Sequence, residues 1–223
     1  MSDINLARQN MVESQVHTAD VTDRRILRAL GQLPREIFVP SSMRSIAYMD
    51  EHIKLTEVIL TSSARFLMSS MPLAKLVQLA NINSTDLVLD IGCTTGYSTA
   101  LLSKLADSVV GLDADQNLTD QATKNLMTIG ADNSAIVVGP HRQGYSKEGP
   151  YDVIFINGAV PYVSDEIFSQ LKENGRLVMV LSETDFGKAC LFTKSQNSIS
   201  QKSYFDVSVP ILPGFKKEKD FVF

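Results

Sequence analysis

The sequence has few of the residues that bind metals: it contains two cysteines and three histidines among 223 residues. Cys93 and Cys190 lie far apart and neither belongs to a CxxC pair, so no zinc framework is predicted. His17 and His52 are isolated from other ligand types, and we predict no metal site. Two isolated cysteines are typical of a protein in a reducing compartment, which favours a cytoplasmic location.

The sequence also lacks long apolar runs and an excess of positive charge. No run approaches the roughly 18 residues of a membrane span, and the polar opening MSDINLARQN lacks the apolar core of a secretory signal. The formal net charge is −4 at pH 7, which provides no basic surface for nucleic acid. We therefore expect a cytoplasmic protein that binds neither membranes nor nucleic acids.

The first 80 or so residues are predicted to be helical. In VTDRRILRALGQL the apolar side chains share one helical face, with Thr22 or Asp23 as the N-cap, and Pro34 ends the helix. MSSMPLAKLVQLANI predicts a second helix, over about 71–80. We therefore predict a helical N-terminal cap over residues 1–80 and a core over residues 81–223, which together form one structural domain.

From residue 87 onward, predicted strands and helices alternate. The strands are LVLDIG, SVVGLD, AIVVG, YDVIFIN and RLVMVL, and the helices include YSTALLSKLA and SDEIFSQLKENG, the second closed by Asn174 and Gly175. Strands that recur every 20–25 residues or so are typical of βαβ units, which predicts a doubly wound α/β fold with a parallel sheet. After Gly187, the polar turn SQNS between two β-like runs predicts an antiparallel hairpin at the sheet edge.

The stretch VLDIGCTTGYSTALL predicts a ligand-binding turn. Open parallel sheets bind ligands beyond the carboxyl ends of their strands, where the strand order reverses. Gly92 permits a tight turn, and Gly96 permits close approach of the backbone to a ligand. Asp113 ends the next predicted strand, where a carboxylate can accept hydrogen bonds from both hydroxyls of a ribose. The combination predicts a nucleoside site.

Two residues in this stretch narrow the choice of nucleoside. Thr94 interrupts the glycines, so the GxGxxG pattern of dinucleotide sites is absent, as is the Gly-Lys-Ser/Thr of a P-loop. Asp90 precedes the first glycine, and its charge would repel phosphate and favour an ammonium group. A cation at one end and a ribose at the other are features of S-adenosylmethionine. The alternative is a plain strand-to-helix turn in which both acids cap or face solvent.

Four segments, in this order and spacing, resemble the protein-L-isoaspartate O-methyltransferase family over about residues 10–185: LPREIFVP, AYMDEHIKL, VLDIGCTTGYSTALLSKLA and YDVIFINGAV. The resemblance implies a Rossmann-like methyltransferase sheet of about seven strands with an antiparallel C-terminal hairpin. It also implies S-adenosylmethionine as methyl donor and the carboxylate of isoaspartyl residues in damaged proteins as acceptor. A carboxylate is already nucleophilic, so such an enzyme mainly has to align the two reactants.

The sequence departs from the family pattern at the acceptor segment. Family members carry a GQTISQP-like segment whose serine is assigned to the acceptor site, whereas this chain has SARFLMSSMP. An ungapped alignment puts Met68 in place of that serine, and a shift of two residues puts Ser70 there. Ser70 is therefore the candidate acceptor-site residue, with a helix N-cap as its alternative role.

Two further departures concern the cofactor. Thr94 stands in place of the middle glycine of the family loop, where a side chain would crowd the cofactor or demand a shifted backbone. Pro140 and His141 replace a family acid near the adenine, and we expect His141 to lie in an exposed loop. Two alternatives therefore stay open: a methyltransferase of the same fold with another acceptor, and a non-catalytic binding protein.

Overall fold

The computed structural model describes residues 3–57, 63–182, 184, 186–196 and 198–215. Its helices are α1 (Asp3–Asn10), α2 (Arg24–Gln32), α3 (Ser70–Ala80), α4 (Tyr97–Ser103), α5 (Gln116–Thr128) and α6 (Asp165–Ser169). Its strands are β1 (Ile53–Lys54), β2 (Phe66–Leu67), β3 (Leu87–Ile91), β4 (Ser108–Asp113), β5 (Ser134–Val138), β6 (Tyr151–Val160), β7 (Leu171–Leu181), β8 (Phe186–Ser195) and β9 (Ser198–Ser208). Within these ranges, no helix has both the length and the apolar character needed to cross a membrane.

Seven strands form the central sheet, in the order β5-β4-β3-β6-β7-β8-β9. The strands from β5 to β7 are parallel, β8 is antiparallel to β7, and β9 is antiparallel to β8. The predicted doubly wound sheet with its C-terminal hairpin is therefore confirmed; of the predicted SQNS turn, residue 197 lies outside the described residues. After β3, the chain adds β4 and β5 on one side of it and then returns to place β6 and β7 on the other side. The strand order therefore reverses between β3 and β6.

Local signals explain where α2 and α5 begin and where α5 ends. The Asp23 side chain accepts a hydrogen bond from the Arg25 backbone N–H at 2.8 Å, which confirms one of the two predicted N-caps of α2. Asp115 caps α5 in the same way. Gly130 follows α5 with a φ of 64°, a conformation that glycine adopts without steric cost.

The predicted helix over SDEIFSQLKENG is wrong in its second half. The α6 helix ends at Ser169, and β7 begins at Leu171, which pairs with Tyr151 of β6. The Gln170 side chain accepts a hydrogen bond from the Tyr145 N–H at 2.8 Å and donates one to the Gln143 carbonyl at 2.6 Å. These tertiary contacts draw the chain into the sheet before the Asn-Gly signal is reached.

The hydrophobic core extends across the boundary predicted near residue 80. Leu30 of α2 and Leu76 of α3 are fully buried in the same cluster as Val178 of β7 and Leu101 of α4. The opposite face of the sheet has its own cluster, which includes Leu89, Ile154 and other strand residues. The N-terminal segment is thus packed on one face of the sheet, where it contributes to a shared core.

Arg35 is a fully buried cation within the N-terminal segment. Its guanidinium donates to the carbonyl oxygens of Ala47 and Met68, at 2.7 and 2.8 Å, and lies 4.7 Å from the ring centroid of Tyr97. Desolvation lowers the pKa of Arg35, against the opposing influence of Tyr97. The side chain fixes the segment before α3 relative to the first residue of α4, and thereby to the adjoining glycine turn.

Candidate functional site at the carboxyl edge of the sheet

The turn between β3 and α4 lies where the strand order reverses, and its backbone is unusual at three alternate positions. Gly92, Thr94 and Gly96 have φ values of 86°, 51° and 93°. A left-handed conformation is a genuine outlier for a β-branched residue. Thr94 therefore keeps the conformation of a glycine position at a steric cost, and its buried hydroxyl has no hydrogen-bond partner among the described residues.

The two glycines of this turn face different neighbours. A Cβ atom built on Gly96 would lie 3.2 Å from the Cβ of Ala122, so this glycine lets α5 pack closely against the turn. A Cβ atom built on Gly92 would lie 2.7 Å from Cδ1 of Leu212. The space above Gly92 is thus filled by a side chain from the segment that follows β9.

Asp90, at the end of β3, is fully buried and only half satisfied. Its Oδ2 accepts hydrogen bonds from Ser98 Oγ at 2.6 Å and Thr99 Oγ1 at 2.7 Å, whereas Oδ1 has no partner among the described residues. Burial raises the pKa of Asp90 to about 7, because desolvation and the charge of Asp113 outweigh these two hydrogen bonds.

Asn157, on the neighbouring strand β6, was not predicted as a site residue. Its Nδ2 donates to Ser98 Oγ at 2.9 Å and to the Gly92 carbonyl at 3.2 Å. Its Oδ1 is buried without a partner in the described part of the chain, like Oδ1 of Asp90. Two unpartnered acceptors on adjacent strands are suited to a ligand that donates several hydrogen bonds, such as an ammonium group. The asparagine directly after the apolar run YDVIFI was the available sequence signal.

Asp113, at the end of β4, is already fully engaged. Nη1 and Nη2 of Arg65 donate to its Oδ1 and Oδ2, both at 2.7 Å. The Thr94 N–H donates to Oδ2 at 2.9 Å and the Asp115 N–H to Oδ1 at 3.1 Å. Burial by itself would raise the pKa of Asp113, but the charge and the two hydrogen bonds of the Arg65 guanidinium outweigh it and hold the pKa well below its usual range. No sequence pattern indicated this arginine partner.

His141 is buried, so the expectation of an exposed loop histidine is wrong. Its Nδ1 lies 2.8 Å from the Pro213 carbonyl oxygen, and the Ala114 N–H donates to its Nε2 at 3.1 Å. A carbonyl can only accept and a backbone N–H can only donate, so these contacts require the tautomer that carries its proton on Nδ1. His141 therefore joins the end of β4 to the segment after β9.

Residues 209–215, which we name the C-terminal strap, cover this edge of the sheet. Ala159 of β6 donates to the Pro210 carbonyl and accepts from the Leu212 N–H, both at 2.9 Å. Three residues of the strap itself are buried: Val209, Leu212 and Phe215. The strap closes the site over Gly92. No periodic pattern in the sequence predicted the position of this segment.

Ser70 is not brought into this group. It is the first residue of α3, after the cap position held by Ser69, and is fully buried. Its hydroxyl lies 2.9 Å from Sδ of Met11 in the N-terminal segment. The N-cap position is held by Ser69, whose side chain makes no capping bond, so the alternative prediction that Ser70 is the N-cap is wrong.

Two pockets lie side by side along the carboxyl edge. The larger, of about 750 Å³, is lined by Arg65, His141, Arg142 and the start of α5, among others. The smaller, of about 480 Å³, is mostly apolar and is lined by His52, Phe66, Ile211 and their neighbours. Ser63 and Pro213 line both pockets, so the edge offers two adjacent compartments beside the Arg65–Asp113 pair.

Comparisons with known proteins identify the family. A sequence profile described as protein-L-isoaspartate(D-aspartate) O-methyltransferase matches residues 6–214. The chain belongs to this family. A protein-L-isoaspartate O-methyltransferase of Methanoculleus marisnigri is 34% identical over 171 residues, which span 77% of this chain and 75% of that protein.

Solved structures agree on the fold of this family member. A protein-L-isoaspartate O-methyltransferase structure matches 93% of the chain and 66% of its own length, with a TM-score of 0.80 and 24% identity. A structure from Plasmodium falciparum, described as a candidate enzyme of the same name in complex with S-adenosyl-L-homocysteine, matches 95% of this chain and 99% of its own. Its TM-score is 0.74 at 19% identity. At these identities the likeness establishes the fold alone.

Proposed function

We propose that this protein transfers a methyl group from S-adenosylmethionine to the carboxylate of isoaspartyl residues in damaged proteins. The observation that carries the proposal is the pair of unpartnered, buried acceptors, Oδ1 of Asp90 and Oδ1 of Asn157, at the strand reversal of a family member. A buried acceptor without a donor costs about 1–3 kcal/mol. A ligand that brings an ammonium group to this place would satisfy both atoms.

The residues fit this cofactor unequally. Asp90 and Asn157 would receive the ammonium of its amino-acid part, and the backbone of the Gly92 turn would lie against it. Asp113 would accept the ribose hydroxyls. In this structure Arg65 is hydrogen-bonded to Asp113, and the Leu212 side chain fills the space above Gly92. When bound, the cofactor supplies an electrophilic methyl group on a sulfonium.

The chain's own contribution to the reaction is alignment and exclusion of water. A carboxylate acceptor needs no general base, and holding it in line can contribute about 7–11 kcal/mol. We propose that the acceptor peptide enters the apolar pocket between Phe66 and Ile211, beside the larger pocket that Arg65 lines. Ser70, which the resemblance implied for the acceptor site, is buried against Met11 and is not among the residues that line this pocket.

A non-catalytic role is the second candidate, because Leu212 fills the space above Gly92 and Arg65 holds Asp113. A third possibility is a methyltransferase of the same fold that acts on another acceptor, since the family serine segment is replaced here. We further propose a cytoplasmic location, which the two free, buried cysteines support.

Calorimetric titration with S-adenosylhomocysteine, followed by methylation assays, separates these candidates. The proposal predicts micromolar binding and methyl transfer to an isoaspartyl peptide, with none to the same peptide that contains ordinary aspartate. Binding without transfer to either peptide indicates another acceptor. A protein that fails to bind at millimolar concentration of the ligand is non-catalytic, and the proposal is then wrong.

A further inference from the structure

The Arg65 side chain is the one described group that must leave before a ribose can reach Asp113. A carboxylate has about four lone-pair sites. On Asp113, Arg65 occupies two of these sites, the Thr94 N–H one and the Asp115 N–H one. His141 Nε2 also lies nearby, 3.4 Å from Oδ1. The backbone donors cannot withdraw without unfolding the turn, whereas a side chain can rotate.

The backbone of Arg65 is fixed, so only its side chain has to move. The Arg65 carbonyl accepts from the Leu55 N–H at 2.8 Å, and the Arg65 N–H donates to Thr56 Oγ1 at 2.9 Å. These contacts fix the backbone of Arg65, directly before β2, against the two residues that follow β1. The guanidinium borders the 750 Å³ pocket, which gives it a place to turn into.

We propose that the ribose of the cofactor displaces Arg65 from Asp113, and that the released guanidinium then pairs with the carboxylate of the acceptor. This inference rests on the proposed function. A guanidinium recognises a carboxylate through two parallel hydrogen bonds, which is the arrangement that Arg65 already makes with Asp113. The arginine thus exchanges one carboxylate for another, and the two substrates bind cooperatively.

The test measures binding rather than turnover. S-adenosylhomocysteine and an isoaspartyl peptide are titrated by calorimetry, each alone and each in the presence of the other, with wild type, Arg65→Met and Arg65→Lys. In the wild type the two ligands should raise each other's affinity by about tenfold. Arg65→Met should bind S-adenosylhomocysteine about tenfold more tightly, bind the peptide about tenfold more weakly, and lose the coupling. Lysine offers a point charge in place of a fork, so Arg65→Lys should shift both affinities in the same directions by less.

Two controls guard against an indirect effect. Arg176→Met removes the arginine of another, partly buried pair, with Asp86 before β3, and should lower stability while leaving both affinities unchanged. In an Asp113→Asn background, Arg65→Met should no longer raise the affinity for S-adenosylhomocysteine. If Arg65→Met fails to fold, the Arg65→Lys series makes the same comparison.

Several outcomes would overturn the inference. One is an affinity of Arg65→Met for S-adenosylhomocysteine that is unchanged or lower, since Arg65 would then support the ribose acid rather than compete for it. Another is an unchanged affinity for the peptide. If the wild type binds and methylates but Arg65→Met shows no gain, the inference fails and the proposed function stands. If neither protein binds S-adenosylhomocysteine, both fail.

Discussion

The strained turn at Thr94 leads to a sharp prediction: Thr94→Gly should stabilise the protein. The substitution relieves a left-handed β-branched residue, worth about 1–2 kcal/mol. It also removes a buried hydroxyl that has no partner in the described part of the chain, worth about 1–3 kcal/mol. Against this, glycine costs about 0.5–1 kcal/mol in chain entropy, and the lost methyl burial costs about 0.8 kcal/mol. We expect a net gain of about 1 kcal/mol or more in the free energy of unfolding.

The adjacent residue provides a matched control. Thr95 is equally buried, has no left-handed backbone, and donates to the Phe38 carbonyl at 2.6 Å. Thr95→Gly should therefore destabilise the protein by about 2 kcal/mol or more. Urea unfolding of the wild type and both variants measures the difference. A Thr94→Gly variant that loses 1 kcal/mol or so would show that the turn stores no strain at this position.

Three further predictions concern buried groups. Because the folded-state pKa of Asp90, about 7, lies above the usual value of 3.8, the stability that the protonated carboxyl contributes is lost as pH rises from about 4 towards 7. Asp90→Asn should therefore gain about 3 kcal/mol relative to wild type between pH 5 and pH 8, and equal pH profiles in urea unfolding would contradict this. Gly92→Ala should destabilise by about 2 kcal/mol or more through its clash with Leu212, and Leu212→Ala should recover about 1 kcal/mol of that loss in a double-mutant cycle; strict additivity would refute the contact. Arg35→Met should cost about 3 kcal/mol, since two buried carbonyls lose their donor. The exposed Arg28→Met should change thermal stability little, and similar effects of the two arginines would contradict the buried role.

The order of strands and helices in the sheet, and the proximity of Asp90 to Asp113 at its carboxyl edge, could be predicted because both follow from local patterns of apolar residues. Short apolar runs gave β3 and β4 nearly to the residue, and parallel neighbours bring their carboxyl ends to one edge. Asp90 and Asp113 therefore had to lie near each other. The glycines likewise indicated a tight turn, although the left-handed conformation of Thr94 runs against the backbone preference of a β-branched residue.

The partners of these acids could not be predicted, because they depend on the path of distant segments. The contact between Arg65 and Asp113 joins residues 48 positions apart, and nothing in the intervening sequence pairs them. The placement of Leu212 over Gly92 depends on how the chain leaves β9. The helix α6 ended early for a similar reason, since the bonds of the Gln170 side chain outweighed the Asn-Gly signal.

The exposed edge of the sheet has a consequence for motion at the site. Nearly every side chain of β9 faces solvent, so its hold on β8 comes chiefly from the backbone ladder. Regions with few buried apolar contacts open locally at a fraction of the global unfolding free energy. The C-terminal strap continues directly from β9, so fraying of this outer strand would draw Leu212 away from Gly92. Amide hydrogens of β9 and of the strap should then exchange together and sooner than those of β3, which ties access to the site to the outermost strand of the sheet rather than to its centre.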